Sequence, residues 1–205
     1  MSSYVTERVQ DFFKDKNEWE SFLQLDKHKD DIINDWFLKL KSKVIELANK
    51  SKPDDWGFIT LSWHWDFRWF VKKYGENSLS LWQRGRGDGT DNYCLTIWAN
   101  SNHFDKEKIF NLLQDSKYSL IQSTFDSIDE VCDINDECRF VEYGDYLFDD
   151  KSSTGRVDSD TLAWYANYKT DELAKQIVEN VNKFIKNPEI TRMFCEINEI
   201  AKKER

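Results

Sequence analysis

Proline is nearly missing from these 205 residues: there are two, beside seven glycines and four cysteines. So little proline and glycine excludes a collagen-like or low-complexity chain. A composition 40% hydrophobic and 15% aromatic excludes a disordered one, because there is ample apolar surface to bury. The cysteines (Cys94, Cys132, Cys138 and Cys195) are too few to act as the framework of a chain this rich in aromatics, so they are expected as reduced thiols. Cys132 and Cys138 are separated by five residues with no histidine near them in sequence, which does not fit the spacing of a structural zinc site. No apolar run approaches the roughly 20 residues that span a bilayer, and the mean hydropathy is −0.74. The start, MSSYVTERVQDFF, has no apolar core behind a basic region, so no secretory signal is expected and the cytosol is the default location. Lysine outnumbers arginine 21 to 8 and alanine occurs six times, a bias common in AT-rich bacterial or phage genomes.

The length suits one domain. The expectation is a single α+β domain over 1–205: helices in 1–52, a sheet core in 56–100, an acidic mixed segment in 101–160 and C-terminal helices in 161–205.

What is present is unevenly spread. The net charge of −9 resides in residues 101–160, which carry 6 basic and 15 acidic side chains, whereas residues 56–100 carry 5 and 4. Six of the nine tryptophans lie in that slightly basic stretch (Trp56, Trp63, Trp65, Trp69, Trp82 and Trp98). The chain therefore has an aromatic block followed by an acidic one. The charge argues against nucleic acid or an anionic membrane as partner of the acidic segment, and leaves the aromatic block free of that objection.

Local period supplies the elements. Ile33, Phe37, Leu40, Val44 and Leu47 fall on one stripe of a helix that Pro53 ends. A shorter helix before it has Val5, Val9, Phe12, Phe13, Trp19, Phe22 and Leu23 as its buried positions. From Phe58 to Lys72 the period becomes two: Ile59, Leu61, Trp63, Trp65, Phe67, Trp69 and Val71 alternate with mostly polar residues, the pattern of one long strand with an apolar and a polar face. Lys73 to Asn77, with Gly75, is expected to turn the chain into a strand opening at Leu79, Leu81 and Trp82. Tyr93–Trp98 is a third strand. Asp105–Asp115 has helical spacing at Ile109, Leu112 and Leu113, with Asn102 or Asp105 as cap. Tyr118–Ile121 and Arg139–Tyr143 are candidate strands, and Asp145–Asp160 is expected as an exposed loop. Leu162, Tyr165, Leu173, Ile177, Val181, Phe184 and Ile185 keep helical spacing until Asn187-Pro188, after which Ile190, Met193, Phe194, Ile197 and Ile200 begin another helix. Helices, strands, a mixed segment and helices in that order indicate an α+β fold whose antiparallel sheet is packed by helices.

Three groups of residues carry possible chemistry. His64, Asp66 and Arg68 share the polar face of the long strand, with Cα atoms about 6.6 Å apart in successive pairs, so the aspartate can orient either neighbour. Whether this face is open or covered decides its meaning, because a buried charge is seldom kept without a partner. The loop Arg84–Asn92 brings three glycines beside Arg84 and Arg86, a combination able to hold a phosphate or carboxylate. It lacks the Lys-Ser or Lys-Thr of a P-loop and the following helix of a dinucleotide site, so no cofactor is expected. Trp63, Trp65 and Trp69 share the apolar parity and are expected in the core. Trp82 and Trp98 lie off the parity of their strands and are candidates for an exposed aromatic contact. Asp129, Glu130, Asp133, Asp136, Glu137, Asp149 and Asp150 form the densest acidic stretch, whose field suits a basic protein surface.

Neither Asp88 and Asp91 nor Asp133, Asn135 and Glu137 follow a calcium-loop spacing, and no G-x-S-x-G elbow or cysteine-histidine context is present. No catalytic or metal-ligating residue is assigned. The first expectation is a non-enzymatic binding or regulatory protein whose acidic segment docks a basic partner, in the manner of an inhibitor. The second is a ligand-sensing module that takes an anionic small molecule or nucleotide with His64, Asp66, Arg68, Trp82, Arg84 and Arg86. A metal-dependent hydrolase is the third, resting on Asp105 to Lys108 alone.

Overall fold

A computed structural model describes residues 15–61, 66–84, 94–124, 137–142 and 159–203. It is α+β, as the order of elements suggests: among the described residues an antiparallel five-stranded sheet is accompanied by helices from both ends of the chain. The chain divides into two compact units, residues 1–35 and 36–205. No helix among the described residues is long and apolar enough to cross a membrane.

Within the first unit, helix α1 (Lys16–Lys27) is started by Asp15, whose carboxylate accepts from the N–H groups of Asn17 at 2.8 Å and Glu18 at 3.0 Å. None of its residues is buried. The expectation that Trp19, Phe22 and Leu23 are core positions is therefore corrected: they are 44%, 43% and 46% exposed, with Trp19 and Phe22 stacked on each other. Val5, Val9, Phe12 and Phe13 lie outside the described residues.

Helix α2 (Lys29–Ser51) starts in the first unit and continues in the second, where Phe37, Leu40 and Val44 are buried as expected; Ile33 and Leu47 of the expected stripe are half-buried, and Ala48 is buried beside it. Strands β1 (Trp56–Thr60), β2 (Phe67–Val71), β3 (Ser80–Arg84), β4 (Cys94–Trp98) and β5 (Glu137–Glu142) then form the sheet in chain order, every neighbouring pair antiparallel. The single long strand expected over 58–72 is instead two strands. Leu61 N–H donates to the Asp66 carbonyl at 3.0 Å, and Thr60 pairs with Phe67, so the chain reverses between Leu61 and Asp66. The segment has no Gly, Pro or Asn-Gly to announce a turn, and the alternation simply continues through it.

The reversal also exchanges parity. Trp56 pairs with Val71 and Phe58 with Trp69, so even positions of β1 share a face with odd positions of β2. The first face thus carries Trp56, Phe58, Phe67, Trp69 and Val71, followed by Leu81 and Gln83 on β3 and by Leu95 and Ile97 on β4. The second face carries Gly57, Ile59, Arg68, Phe70, Ser80, Trp82, Thr96 and Trp98. Ile59 was expected beside Phe67 and Trp69 and is on the opposite face from them.

The turn after β2 is as expected. Gly75 has φ of 79°, a conformation that costs glycine little because it has no Cβ. Ser78 hydroxyl and N–H both donate to the Gly75 carbonyl, at 2.7 and 3.2 Å. Helix α3 (Lys106–Gln114) is capped by Asp105, which accepts from Lys108 N–H at 3.0 Å. The strand expected over Tyr118–Ile121 is corrected: residues Ser116–Tyr118 form a 3-10 turn and Ser119–Thr124 a short helix, α4. Tyr118 and Ile121 are both buried, and their three-residue separation places them on one side of a helical turn. Glu137–Glu142 supplies the second of the two candidate strands as β5. Of the loop expected over Asp145–Asp160, the last two residues already belong to helix α5 (Ser159–Tyr168), and residues 145–158 lie outside the described ones.

Helix α6 (Thr170–Ile185) buries Leu173, Ile177, Val181, Phe184 and Ile185 on one stripe. The run expected from Leu162 to Ile185 is broken at Lys169, between α5 and α6. Helix α7 (Pro188–Ala201) begins where Asn187-Pro188 predicts, with the Asn187 side chain accepting from Glu189 N–H at 3.0 Å. It covers the first sheet face: Phe194 packs on Trp56 with ring centroids 5.5 Å apart, and Trp56 Nε1 donates to Thr191 Oγ1 at 3.0 Å. Asn198, fully buried, accepts from Leu79 N–H and donates to the Phe194 carbonyl, each at 2.9 Å. A buried amide with both its ends bonded ties helix to sheet without leaving a desolvated polar group.

Candidate functional site

The second face of the sheet holds the chemistry. Arg68 sits in the middle of β2, paired on one side with Ile59 and on the other with Trp82. Trp98 pairs with Ser80 one row along, so both indoles flank the guanidinium. The guanidinium carbon lies 3.5 Å from the Trp98 ring centroid and 5.5 Å from that of Trp82, and the two indoles meet edge to face at 6.4 Å. Arginine stacks on tryptophan in this way because its cation is planar, weakly hydrated and attracted to the ring quadrupole.

The remaining contacts of Arg68 are sparse for a residue only 8% exposed. Nη1 reaches the Glu76 carbonyl at 3.4 Å, and Nε has no hydrogen-bond partner. Asp66, 5% exposed, and Glu76 act on the cation through space, but no carboxylate forms an ion pair with it among the described residues. Burial outweighs those two charges and pushes Arg68 down to about 10. The cation is still protonated at neutral pH. Stacking occupies one face of the guanidinium and Glu76 takes Nη1, so the edge bearing Nε is the one with bonding capacity left. That edge is a fork for an acceptor with two oxygens in one plane.

The neighbouring ring is fitted with equal closeness. Phe70, on the same face, lies over Gly57, where a Cβ would fall 2.5 Å from the ring. Glycine at 57 is thus required by the close approach of Phe70.

The sequence had placed Asp66, Arg68 and Trp82 together, and the described structure brings Arg68 and Trp82 into contact with Asp66 close enough to act on the cation. Trp82 and Trp98 are off the apolar parity as expected, yet Trp98 is 8% exposed and packs on Arg68, which corrects its expected exposure. Arg84 closes β3 opposite Cys94. His64 and Arg86 lie outside the described residues, as do Trp63, Trp65, Asp129, Glu130, Asp133, Asp136, Asp149 and Asp150. Glu137 opens β5 in register with Trp98. Neither scanning family models nor searching curated proteins and solved structures returns a match to this chain.

A second cluster lies where the β2–β3 turn meets α7. Glu199 Oε1 accepts from Lys73 Nζ and from the Tyr74 hydroxyl, each at 2.7 Å. The ammonium holds the Glu199 carboxyl below its usual range, and Glu199 in turn raises Lys73. Burial pushes the nearby Cys195 thiol up, away from the thiolate that nucleophilic chemistry uses. Every charge in this cluster has a partner. The described residues contain no group of three or more His, Cys, Asp or Glu arranged to hold a metal ion.

Proposed function

We propose that this chain is a binding protein that takes an anionic small molecule at Arg68, on the second face of its sheet. One observation carries the reading: the guanidinium is 8% exposed, has an unbonded Nε and makes no ion pair with a carboxylate among the described residues. A cation removed from water is costly unless an anion compensates it, and a bound ligand would add the direct ion pair that no carboxylate among the described residues makes. Trp98, at 3.5 Å, and Trp82, at 5.5 Å, hold the guanidinium by cation–π contact. The test is thermal unfolding against a panel of carboxylates, inorganic phosphate and nucleotides, with Arg68→Ala and Arg84→Ala beside the native chain. A ligand that raises the melting temperature of the native chain and not of Arg68→Ala supports the reading. No shift from any anion, or the same shift in Arg68→Ala, overturns it.

A second reading is favoured by the charge map. Residues 101–160 hold the whole net charge of −9, and β5 joins part of that segment to the end of the sheet opposite β1. In this reading the acidic segment docks a basic protein partner. Protamine serves as a basic probe: an affinity that falls steeply with ionic strength supports the reading, and one unchanged by salt removes it.

A further inference from the structure

We infer that the ligand of Arg68 is a monoanion, a carboxylate carried on an aromatic or apolar body, rather than a phosphate; this rests on the binding role proposed for Arg68. Three features of the site lead there. The first is charge. Arg68 supplies one positive charge, and Asp66 and Glu76 already act on it from just before its strand and from the turn that follows. A phosphate near two negative charges would bring up to two more against a single cation, and repulsion of that kind is strong in a site shielded from water. A carboxylate brings one, so the repulsion it adds is the smaller.

The second is shape. The guanidinium face is stacked on Trp98 at 3.5 Å and Nη1 is directed to the Glu76 carbonyl, so only the edge bearing Nε remains to bond. Two parallel N–H donors in one plane match the two oxygens of a carboxylate.

The third is the surround. The positions next to Arg68 on this face are Ile59, Phe70, Trp82 and Trp98, two aliphatic or phenyl side chains and two indoles. Ile59, Phe70 and Trp82 are partly exposed, whereas the polar members Ser80 and Thr96 are fully buried with their hydroxyls turned to backbone carbonyls. What a ligand would meet beside the fork is therefore apolar, and mostly aromatic. Reaching the buried Nε takes a change of side-chain rotamer, which is common on binding, and Trp82 is the partly exposed ring that borders the guanidinium.

The experiment is a titration followed by tryptophan fluorescence and by thermal unfolding, with indole-3-acetate, benzoate, acetate, AMP and inorganic phosphate as the probes. It is run on the native chain, Arg68→Met and Arg68→Lys, so that a loss of folding in one variant leaves the other to report. The expected result is that indole-3-acetate and benzoate bind the native chain at least about tenfold more tightly than AMP, phosphate or acetate, and that both variants lose this binding. AMP or phosphate binding as well as the aromatic carboxylates, with dependence on Arg68, overturns the inference and leaves the anion-binding role standing. Acetate binding as tightly as benzoate overturns the apolar body. If none of the five binds, or if binding survives in both variants, the inference and the role of Arg68 fall together.

Discussion

The two faces of the sheet differ in how they settle their polar groups. On the face under α7, Trp56, Phe67, Trp69, Leu81, Leu95 and Ile97 are at most 1% exposed, and Asn198 meets the backbone with both ends of its amide bonded. On the other, Arg68 is almost as deeply buried but has one long hydrogen bond, an open Nε and two indoles. The first face meets α7 with a fully bonded amide. The second holds a desolvated cation whose remaining bond is unmade, and a fold keeps such a group at a cost in stability. The contrast separates residues that hold the structure from the residue proposed to meet a ligand.

The largest test of that contrast is on the first face. Trp69→Ala should cost about 3–5 kcal/mol in urea unfolding, because it removes a buried indole from among Phe58 and Phe67 and leaves a cavity. A loss below about 1 kcal/mol, the scale of a surface change, would mean that this face is not the core.

Next is the fit between β1 and β2 on the second face. Gly57→Ala should destabilise by about 1–3 kcal/mol, since its Cβ would overlap the Phe70 ring. Phe70→Leu in the same chain should recover part of that loss, and a purely additive pair would show that the ring is not the obstacle.

Arg68→Met gives the smaller and more telling effect. Loss of the contact with Trp98 and relief of a buried charge act in opposite directions, so stability without ligand should stay within about 1 kcal/mol of the native chain or rise. The pH dependence has a sign. Folding lowers Arg68 from its ordinary value to about 10, so above that pH the unfolded chain binds more protons and the native chain gains stability relative to Arg68→Met as pH rises from about 10 towards the ordinary arginine range. A difference constant across the window would mean that burial does not perturb the cation.

The smallest effect is expected at Glu199, where a charge has its partners. Its carboxyl is lowered in the folded state by Lys73 and Tyr74, so its contribution is present above the ordinary value of 4.5 and lost as pH falls through the folded value. Glu199→Gln should therefore shift the urea midpoint slightly at neutral pH, and the gap should close in acid. A gap that persists there assigns the effect to packing.

Much of this was legible in local pattern. The stripe of α2, the cap at Asp105, the turn at Gly75 and the break at Asn187-Pro188 are written in spacing and in residues with a fixed backbone role. The off-parity positions of Trp82 and Trp98 put them on the face opposite Leu81 and Ile97, although Trp98 is buried there and not exposed. The reversal between Leu61 and Asp66 was hidden because alternation is symmetrical in direction and the intervening sequence has no glycine or proline. The register of β1 against β2 then moved Ile59 to the other face, which no one-dimensional pattern encodes. Tyr118 and Ile121 misled for the same kind of reason, since two apolar residues three apart fit a short strand almost as well as one turn of helix. What the sequence left undecided about Arg68 was whether its face is covered. Its burial is a property of the assembled sheet, and that is what turned a common surface residue into a candidate site.

The central claim, that Arg68 is held for a ligand anion rather than for the fold, is tested most directly by thermal unfolding of the native chain and Arg68→Met side by side along an indole-3-acetate titration. The account predicts that the variant starts as stable as the native chain or more so and that the native chain overtakes it as ligand is added. A variant that starts several degrees less stable, with a gap that the ligand leaves unchanged, would contradict it.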